Sequence, residues 1–276
     1  MTVTVVNPAT EEIIATLPSA GVEETDAAVA AARTACPGWR AVSPRDRGRL
    51  LRRLAALVEE HGEELSRIES QNVGKPIAGA RGEIGMVADV FHFYAGAVDK
   101  KHGETIPVAG GVDLTFREPL GVVGLIVPWN FPLTIAAWKV APALAAGNTV
   151  VLKPAEQAPA CALALYDAFR AAGLPAGALH VLPGGDEPAK ALVSHPHVHT
   201  IAFTGSGGAG RDILRRAAEV VPGQHHLKRV VCEMGGKNIV IVDADADVDD
   251  VVPALMRSAF AFAGQKCSAA ARVLVH

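Results

Sequence analysis

The pattern of apolar and polar positions changes character partway along this chain. Over roughly the first hundred residues apolar side chains recur at helical spacing. Val22 to Arg33 is rich in alanine, Arg45 to Glu60 places Leu50, Leu54 and Leu57 on one face, and Glu83 to Asp99 spaces Met86, Val90 and Phe93 as one stripe. The second segment has an explicit start. Ser43 can cap it, Pro44 fits the first helical position, where a missing N–H costs nothing, and Asp46 lies where the helix dipole favours an acid. These segments read as surface helices. From Leu114 onward short β-rich runs take over: Val122 to Val127, Thr149 to Leu152, Leu179 to Leu182 and Thr200 to Phe203. Helical patterns of roughly ten to twenty residues separate them, which implies right-handed crossovers and a parallel sheet with ligands at the carboxyl ends of its strands. The expected fold is α/β, a doubly wound parallel sheet of nucleotide-binding type.

A further change follows Arg229 to Glu233. A strand, Ile239 to Val242, and a helix from about Val248 lead to Gly264-Gln265-Lys266-Cys267. This puts a domain boundary near Met234, with residues 1–233 as a nucleotide-binding domain and 234–276 as the start of a second α/β domain. About forty residues fall short of what a domain needs to build its own core, so the second domain reads as incomplete.

Composition narrows the partners. The chain has 276 residues, 50% hydrophobic, enough for a sizeable core, and a formal net charge of −3 with acids and bases interspersed. No run of like charge points to nucleic acid or to a membrane surface, which leaves small molecules as the expected partners. Cys36, Cys161, Cys232 and Cys267 show neither disulfide-framework nor zinc-ligand spacing and fit a reducing compartment. Met1 to Pro8 lacks a basic stretch followed by an apolar one, and Val122 to Val127 is far too short to span a bilayer. The expected location is the cytoplasm.

Several residues could carry chemistry. Cys267 stands among small neighbours that leave its sulfur accessible, and a thiolate is a strong nucleophile toward a carbonyl carbon, although a lone cysteine is more often an inert small hydrophobe. Glu233 ends an apolar run just before a glycine pair. Partial burial there would raise its pKa toward the range of a general base, and pairing with a nearby lysine is the plainer alternative. Asn130, in Pro128-Trp129-Asn130-Phe131-Pro132, follows a strand and offers an amide donor that could stabilise an oxyanion, worth roughly 3 kcal/mol, or could simply form a turn. Phe203-Thr204-Gly205-Ser206-Gly207-Gly208 ends a strand and opens a helix, as a phosphate site does. In Lys153-Pro154-Ala155-Glu156 a cation and an acid stand at another strand end, and Glu156 could bind ribose hydroxyls while repelling a 2′-phosphate. His195, His197 and His199 alternate and could face one metal, but solvated loop histidines are the better reading, since no carboxylate or cysteine joins them nearby.

Taken together, Pro128-Trp129-Asn130-Phe131-Pro132, Lys153-Pro154-Ala155-Glu156, Phe203-Thr204-Gly205-Ser206, Glu233-Met234-Gly235-Gly236-Lys237 and Gly264-Gln265-Lys266-Cys267 resemble the aldehyde dehydrogenase superfamily in order and spacing, from about Val5 to the last residue. The resemblance implies NAD as cofactor, an aldehyde as substrate, Cys267 as nucleophile and Glu233 as general base. Asn130 would join the backbone N–H of Cys267 in an oxyanion hole, and Lys139 would serve proton relay. Lys153 and Glu156 match the ribose-binding pair and Ser206 a pyrophosphate contact; Pro128, Trp129, Pro154, Gly185, Phe203, Gly205 and Met234 complete the implied cofactor set. The segment 103–121 resembles a hairpin used in subunit assembly, which implies a homo-oligomer for the complete protein.

Within the superfamily the halves differ. Asn72-Val73-Gly74-Lys75-Pro76 and Phe116 to Glu156 look like betaine-aldehyde and aminoaldehyde dehydrogenases. Pro222 to Lys228, Glu233 to Lys237 and Ser258 to Arg272 look like the L-glutamate γ-semialdehyde (1-pyrroline-5-carboxylate) dehydrogenases, and because they lie nearer the nucleophile that substrate is favoured. Gly207-Gly208 stands where the family usually has a larger pair, which should loosen the following helix and weaken, without abolishing, NAD binding. The sequence ends nine residues after Cys267, where family members continue through most of a catalytic domain. The chain therefore reads as truncated, expected to show little turnover alone and to be prone to aggregate. The reading from another class is a non-catalytic NAD-binding fragment.

Overall fold

The computed structural model describes residues 2–276; Met1, the first residue of the expected nucleotide-binding segment, lies outside the described residues. An antiparallel pair, β1 (Thr2–Val6) and β2 (Ile13–Pro18), leads into four helices, α1 (Val22–Ala41), α2 (Pro44–Glu60), α3 (Gly62–Val73) and α4 (Ile77–Ala97). A hairpin of β3 (Thr105–Val108) and β4 (Gly111–Leu114) follows. Then the chain alternates: β5 (Val122–Ile126), α5 (Pro132–Ala145), β6 (Thr149–Lys153), α6 (Ala160–Ala171), β7 (Leu179–Val181), α7 (Asp186–Ser194), β8 (Val198–Gly205), α8 (Gly207–Ala218) and β9 (Arg229–Met234). Last come β10 (Asn238–Val242), α9 (Val248–Phe260), a short 3-10 helix (Ala261–Gly264) and β11 (Ala270–Val275).

The central sheet has the order β7-β6-β5-β8-β9, every pair parallel. Alternation along β5 sorts its side chains to two cores. Val123 and Leu125 join a cluster with α2, α4, α5 and α6; Val122 and Ile126 join one with α1, α7 and α8. Gly124 points to the second side. A Cβ there would lie 2.8 Å from Ile201 Cδ1 and 3.1 Å from Leu192 Cγ, so the bare backbone is what lets α7 seat against the sheet. Helices on both faces of a parallel sheet make the fold doubly wound.

Local chemistry at α2 follows the sequence: Ser43 Oγ accepts a hydrogen bond from Asp46 N, and Pro44 opens the first turn. Two stripes differ. On α2 the fully buried positions are Leu51, Leu54, Ala55 and Val58, with Leu50 and Leu57 half-buried at the flanks. On α4 the inward face is Ala80, Ile84, Val87, Ala88, Phe91 and Ala95, whereas Met86 and Phe93 are 46% and 67% exposed. That helix has apolar residues around most of its circumference, so spacing alone does not choose its buried side. None of these helices is merely superficial: Val29, Ala32 and Trp39 of α1 are buried as well. α1 also runs past Arg33, through Pro37. His195, His197 and His199 are half-buried rather than solvated, and His199 stacks on His226 with 4.0 Å between ring centroids.

Beyond β9, β10 and β11 form a separate two-stranded parallel sheet with α9 against it. No residue of α9 is buried, and Ile241, Val252, Met256, Phe260 and Val275 are exposed. No described helix is long and apolar enough to cross a membrane.

One polar cluster lies inside the first core. Lys75 pairs with Glu69 and, at 2.7 Å, with Glu83, and all three are buried. Burial pushes the Glu69 carboxyl up to about 7, against the opposing pull of Lys75. Because this folded pKa lies above the ordinary 4.5, the stability contributed by the protonated form is complete below about pH 4.5 and is lost as pH rises through about 7. Thermal melts should therefore show a midpoint that falls across this interval, and Glu69→Gln should flatten the fall; an unchanged slope would remove Glu69 from the account. Ser43→Ala should cost about 1 kcal/mol in urea denaturation through loss of the α2 cap.

Candidate active site

The chain order of the sheet reverses at β5, whose neighbours β6 and β8 lead away in opposite directions. Such a switch point leaves a crevice at the carboxyl ends of the strands. A cleft of about 970 Å³ opens there. Its walls include Pro128, Trp129 and Asn130 after β5, Lys153 and Glu156 after β6, Gly185 before α7, Phe203, Gly205 and Ser206 at the end of β8, Met234 at the end of β9, and Gln265, Lys266 and Cys267. Eleven of the fourteen residues singled out from the sequence thus share one cavity. Pro154 is buried behind it, and Glu233 and Lys139 lie outside its lining.

On the nucleotide side, Lys153 is only 7% exposed, and no hydrogen-bonded or ion-paired partner for its ammonium occurs among the described residues. Burial lowers its pKa, while Asp186 and Glu156 pull it back up. Glu156 reaches over Gly185, where a Cβ would stand 3.0 Å from Oε2, so glycine makes room for the carboxylate. Ser206 is the N-cap of α8, its Oγ accepting from Ala209 N at 3.2 Å. Gly207 and Gly208 follow with no side chains, leaving backbone amides at the positive end of the helix dipole open to the cleft. Met234 packs on α8: a Cβ on Gly210 would lie 2.6 Å from its sulfur. An unpartnered buried cation, an acid beside a glycine, and a bare helix N-terminus suit a ribose and its phosphates.

At the other end, Asn130 Nδ2 donates to the Gln265 carbonyl at 2.7 Å, and Asn130 Oδ1 accepts from Phe131 N at 3.1 Å. The strand-end amide is thereby fastened to the loop two residues ahead of Cys267, whose thiol is free and exposed. Asn238 holds the same loop from the far side. Its Nδ2 donates to the Cys267 carbonyl at 2.7 Å and to the Ala269 carbonyl at 3.1 Å. From the sequence, Gln265 enters only as part of the motif around Cys267, with no role of its own, and Asn238 does not enter. Asn238 directly follows Glu233-Met234-Gly235-Gly236-Lys237, and that adjacency was the available signal.

Glu233 is exposed, so the partial burial expected of it is not present. The reason is its place on β9, an edge strand in which Arg229, Val231, Glu233 and Met234 are all exposed. Alternation points Cys232 and Met234 toward α8 and Glu233 toward α5. There it faces Lys139, whose pKa burial lowers and Glu233 and Cys232 raise. Burial in turn raises the Cys232 thiol, against the pull of Lys139. Glu233 lies near enough to Lys139 to act on its charge, whereas Asn130 is tied to the loop of Cys267, and no hydrogen bond links the two groups among the described residues.

The sheet is of the doubly wound, nucleotide-binding type with an accessible thiol at its switch point, and the comparisons with known proteins name the family. The model of the aldehyde dehydrogenase family matches residues 1–276, and the chain belongs to that family. It is 46% identical over 275 residues to the mitochondrial aldehyde dehydrogenase family 2 member B4 of Arabidopsis thaliana, covering 98% of this chain and 50% of that one. The crystal structure of PnpE in complex with nicotinamide adenine dinucleotide superposes with a TM-score of 0.95 at 41% identity, covering 100% of this chain and 56% of that one. Proline utilization A from Bdellovibrio bacteriovorus, inactivated by N-propargylglycine, gives 0.94 at 41% identity, covering 100% and 29%. The chain spans about half the length of the curated relatives it matches.

Because the Asn238 side chain donates to both the Cys267 and the Ala269 carbonyls, Asn238→Ala should cost about 1–2 kcal/mol of stability by denaturant titration. Amide exchange should quicken at residues 266–270; unchanged exchange there would show that the loop is held by other contacts.

Proposed function

We propose that the complete protein oxidises an aldehyde to a carboxylic acid with NAD, using Cys267 as nucleophile. The observation that carries this reading is the Asn130 to Gln265 hydrogen bond, which sets an amide donor beside the thiol's loop at the mouth of a cleft with nucleotide chemistry. Residues 1–233 would bind the cofactor, and the segment from 234 would present the thiol.

In the proposed reaction the Cys267 thiolate adds to the aldehyde carbon. The oxygen that takes up negative charge is stabilised by Asn130 Nδ2 and the backbone N–H of Cys267, in the manner of an oxyanion hole. Bound NAD supplies the hydride acceptor. Lys153 and Glu156 would hold a ribose, with Gly185 leaving space for the carboxylate; Ser206 and the bare turn after it would take the pyrophosphate, and Phe203, Gly205, Pro128, Trp129 and Met234 would shape the walls. Pro154 would act from behind by fixing the backbone between Lys153 and Glu156. Glu233 would activate the water that hydrolyses the Cys267 thioester, exchanging its proton with Lys139. Its exposure means that this role requires it to turn toward the thiol.

We favour L-glutamate γ-semialdehyde as substrate. Pro222 to Lys228, Glu233 to Lys237 and Ser258 to Arg272 support this reading through their resemblance to dehydrogenases of that aldehyde. The hairpin of β3 and β4, with Val108, Val112, Leu114 and Phe116 exposed, supports a homo-oligomer, and four free thiols suit the cytoplasm.

With the complete protein, Cys267→Ala should abolish aldehyde-dependent NADH formation, and Asn130→Ala should lower kcat by about 10²–10³-fold. An aldehyde panel should rank glutamate semialdehyde above betaine aldehyde by kcat/KM. The reverse order would overturn the substrate, and NAD binding with no turnover of any aldehyde would make the protein a non-catalytic binder. Gly185→Ala should displace the Glu156 carboxylate and weaken NAD about tenfold by calorimetry, with the melting temperature unchanged.

A further inference from the structure

The backbone just ahead of Cys267 is wound the wrong way. Phe262, Ala263 and Gly264 have φ of 53°, 54° and 71°, a complete left-handed turn of which only the glycine adopts that conformation freely. In the other two the Cβ crowds the following carbonyl, so something must hold the turn in place. Within it, Gln265 N donates to the Phe262 carbonyl at 3.0 Å, which does not fix the turn against the rest of the protein.

Asn130 and Asn238 grip the chain after the turn, and the turn's first residue, Phe262, is held by an ion cluster to which the proposed chemistry assigns no part. The Lys75 ammonium lies 3.9 Å from the centre of the Phe131 ring and 5.2 Å from that of Phe262, and the two rings meet edge to face at 6.0 Å and 84°. Glu69 of α3 and Glu83 of α4 fix the ammonium from behind, and Thr134 of α5 donates to Glu83 Oε2 at 3.1 Å. A cation held out of water against an aromatic face attracts it strongly and so offsets part of the cost of the turn. Phe131 is the neighbour of Asn130, and its N–H donates to the Asn130 side chain. Phe262 begins the turn that delivers Gln265, the acceptor for that same side chain. One buried cation therefore contacts both segments that must be in register for the donor amide to face the thiol.

We infer that Lys75 is a positioning residue: held between Glu69 and Glu83 beneath the rings of Phe131 and Phe262, it sets the strand-end amide of Asn130 against the left-handed turn that carries Cys267. The inference rests on the reading of Cys267 as the reacting thiol. A simple charge cluster for stability would not place its cation against the two rings that flank the reacting groups.

Removing Lys75 alone would strand two buried carboxylates and unfold the region, so the charges should be removed together, as Lys75→Met/Glu69→Gln/Glu83→Gln in the complete protein. Phe262→Leu deletes the ring and leaves the ions intact. Both variants should keep the calorimetric affinity for NAD within about threefold while kcat for aldehyde falls about 10- to 100-fold, the cost of ångström-scale misplacement. Amide exchange should quicken across residues 261–267 and stay unchanged in β5 and β8. Lys75→Arg, which keeps a cation over the rings, should recover part of kcat. A folded triple variant with wild-type kcat and wild-type exchange at 261–267 would overturn the inference, as would a loss of protection spread evenly over the protein. If the unmodified protein oxidises no aldehyde, it is the assignment of Cys267 that fails, and the exchange pattern still decides the role of Lys75.

Discussion

Parallel pairing of β5 with both β6 and β8 forces the winding to reverse at β5, and that reversal cannot be covered by a crossover helix. The cleft, the helix N-termini that open into it and the loops that carry side chains across it all follow from that one topological break. β5 can occupy the centre because its five residues are buried on both faces, and because Gly124 has no side chain to keep α7 away. The chemistry collects where the sheet has no lid of its own.

The Lys75 cluster works on a different principle. Two carboxylates and one ammonium buried together gain less from their mutual attraction than they lose in hydration, and an apolar set of the same volume would serve stability as well. What an apolar set cannot do is fix direction. The ammonium has one place to sit between Glu69 and Glu83, and the rings above it have one face each to present. A polar core of this kind trades stability for registration between elements distant in sequence.

Much of this is legible in the amino-acid sequence. The short runs at Val122, Thr149, Leu179 and Thr200 became the four strands β5 to β8, because short apolar runs bounded by turns and separated by helices leave few alternatives. Ser43 and Pro44 announced α2 by local chemistry alone. The residues flanking strand ends could be gathered by topology, which is why most of them meet in one cavity. What could not be read depended on partners far along the chain. The inward face of α4 is chosen by α2 and α5, so the stripe of Met86, Val90 and Phe93 is not the face it buries. The exposure of Glu233 follows from β9 being an edge strand, which a strand pattern does not reveal. Lys75 and Glu69 stand close in sequence, but Phe131 and Phe262 reach them from more than fifty and more than one hundred and eighty residues away.

The glycine pair that opens α8 has a kinetic corollary. Neither Gly207 nor Gly208 would bring a Cβ closer than 3.6 Å to another residue, so the space is there and the stiffening side chains are not. A dinucleotide arriving at that turn would have to still it, forfeiting some of its own binding energy to restrict a backbone that larger residues would have restricted beforehand. Encounter would be little affected, since the amides are open to solvent, so the forfeit would fall on residence time. A site built in this way suits a molecule that must leave after every cycle rather than one retained as a permanent fixture.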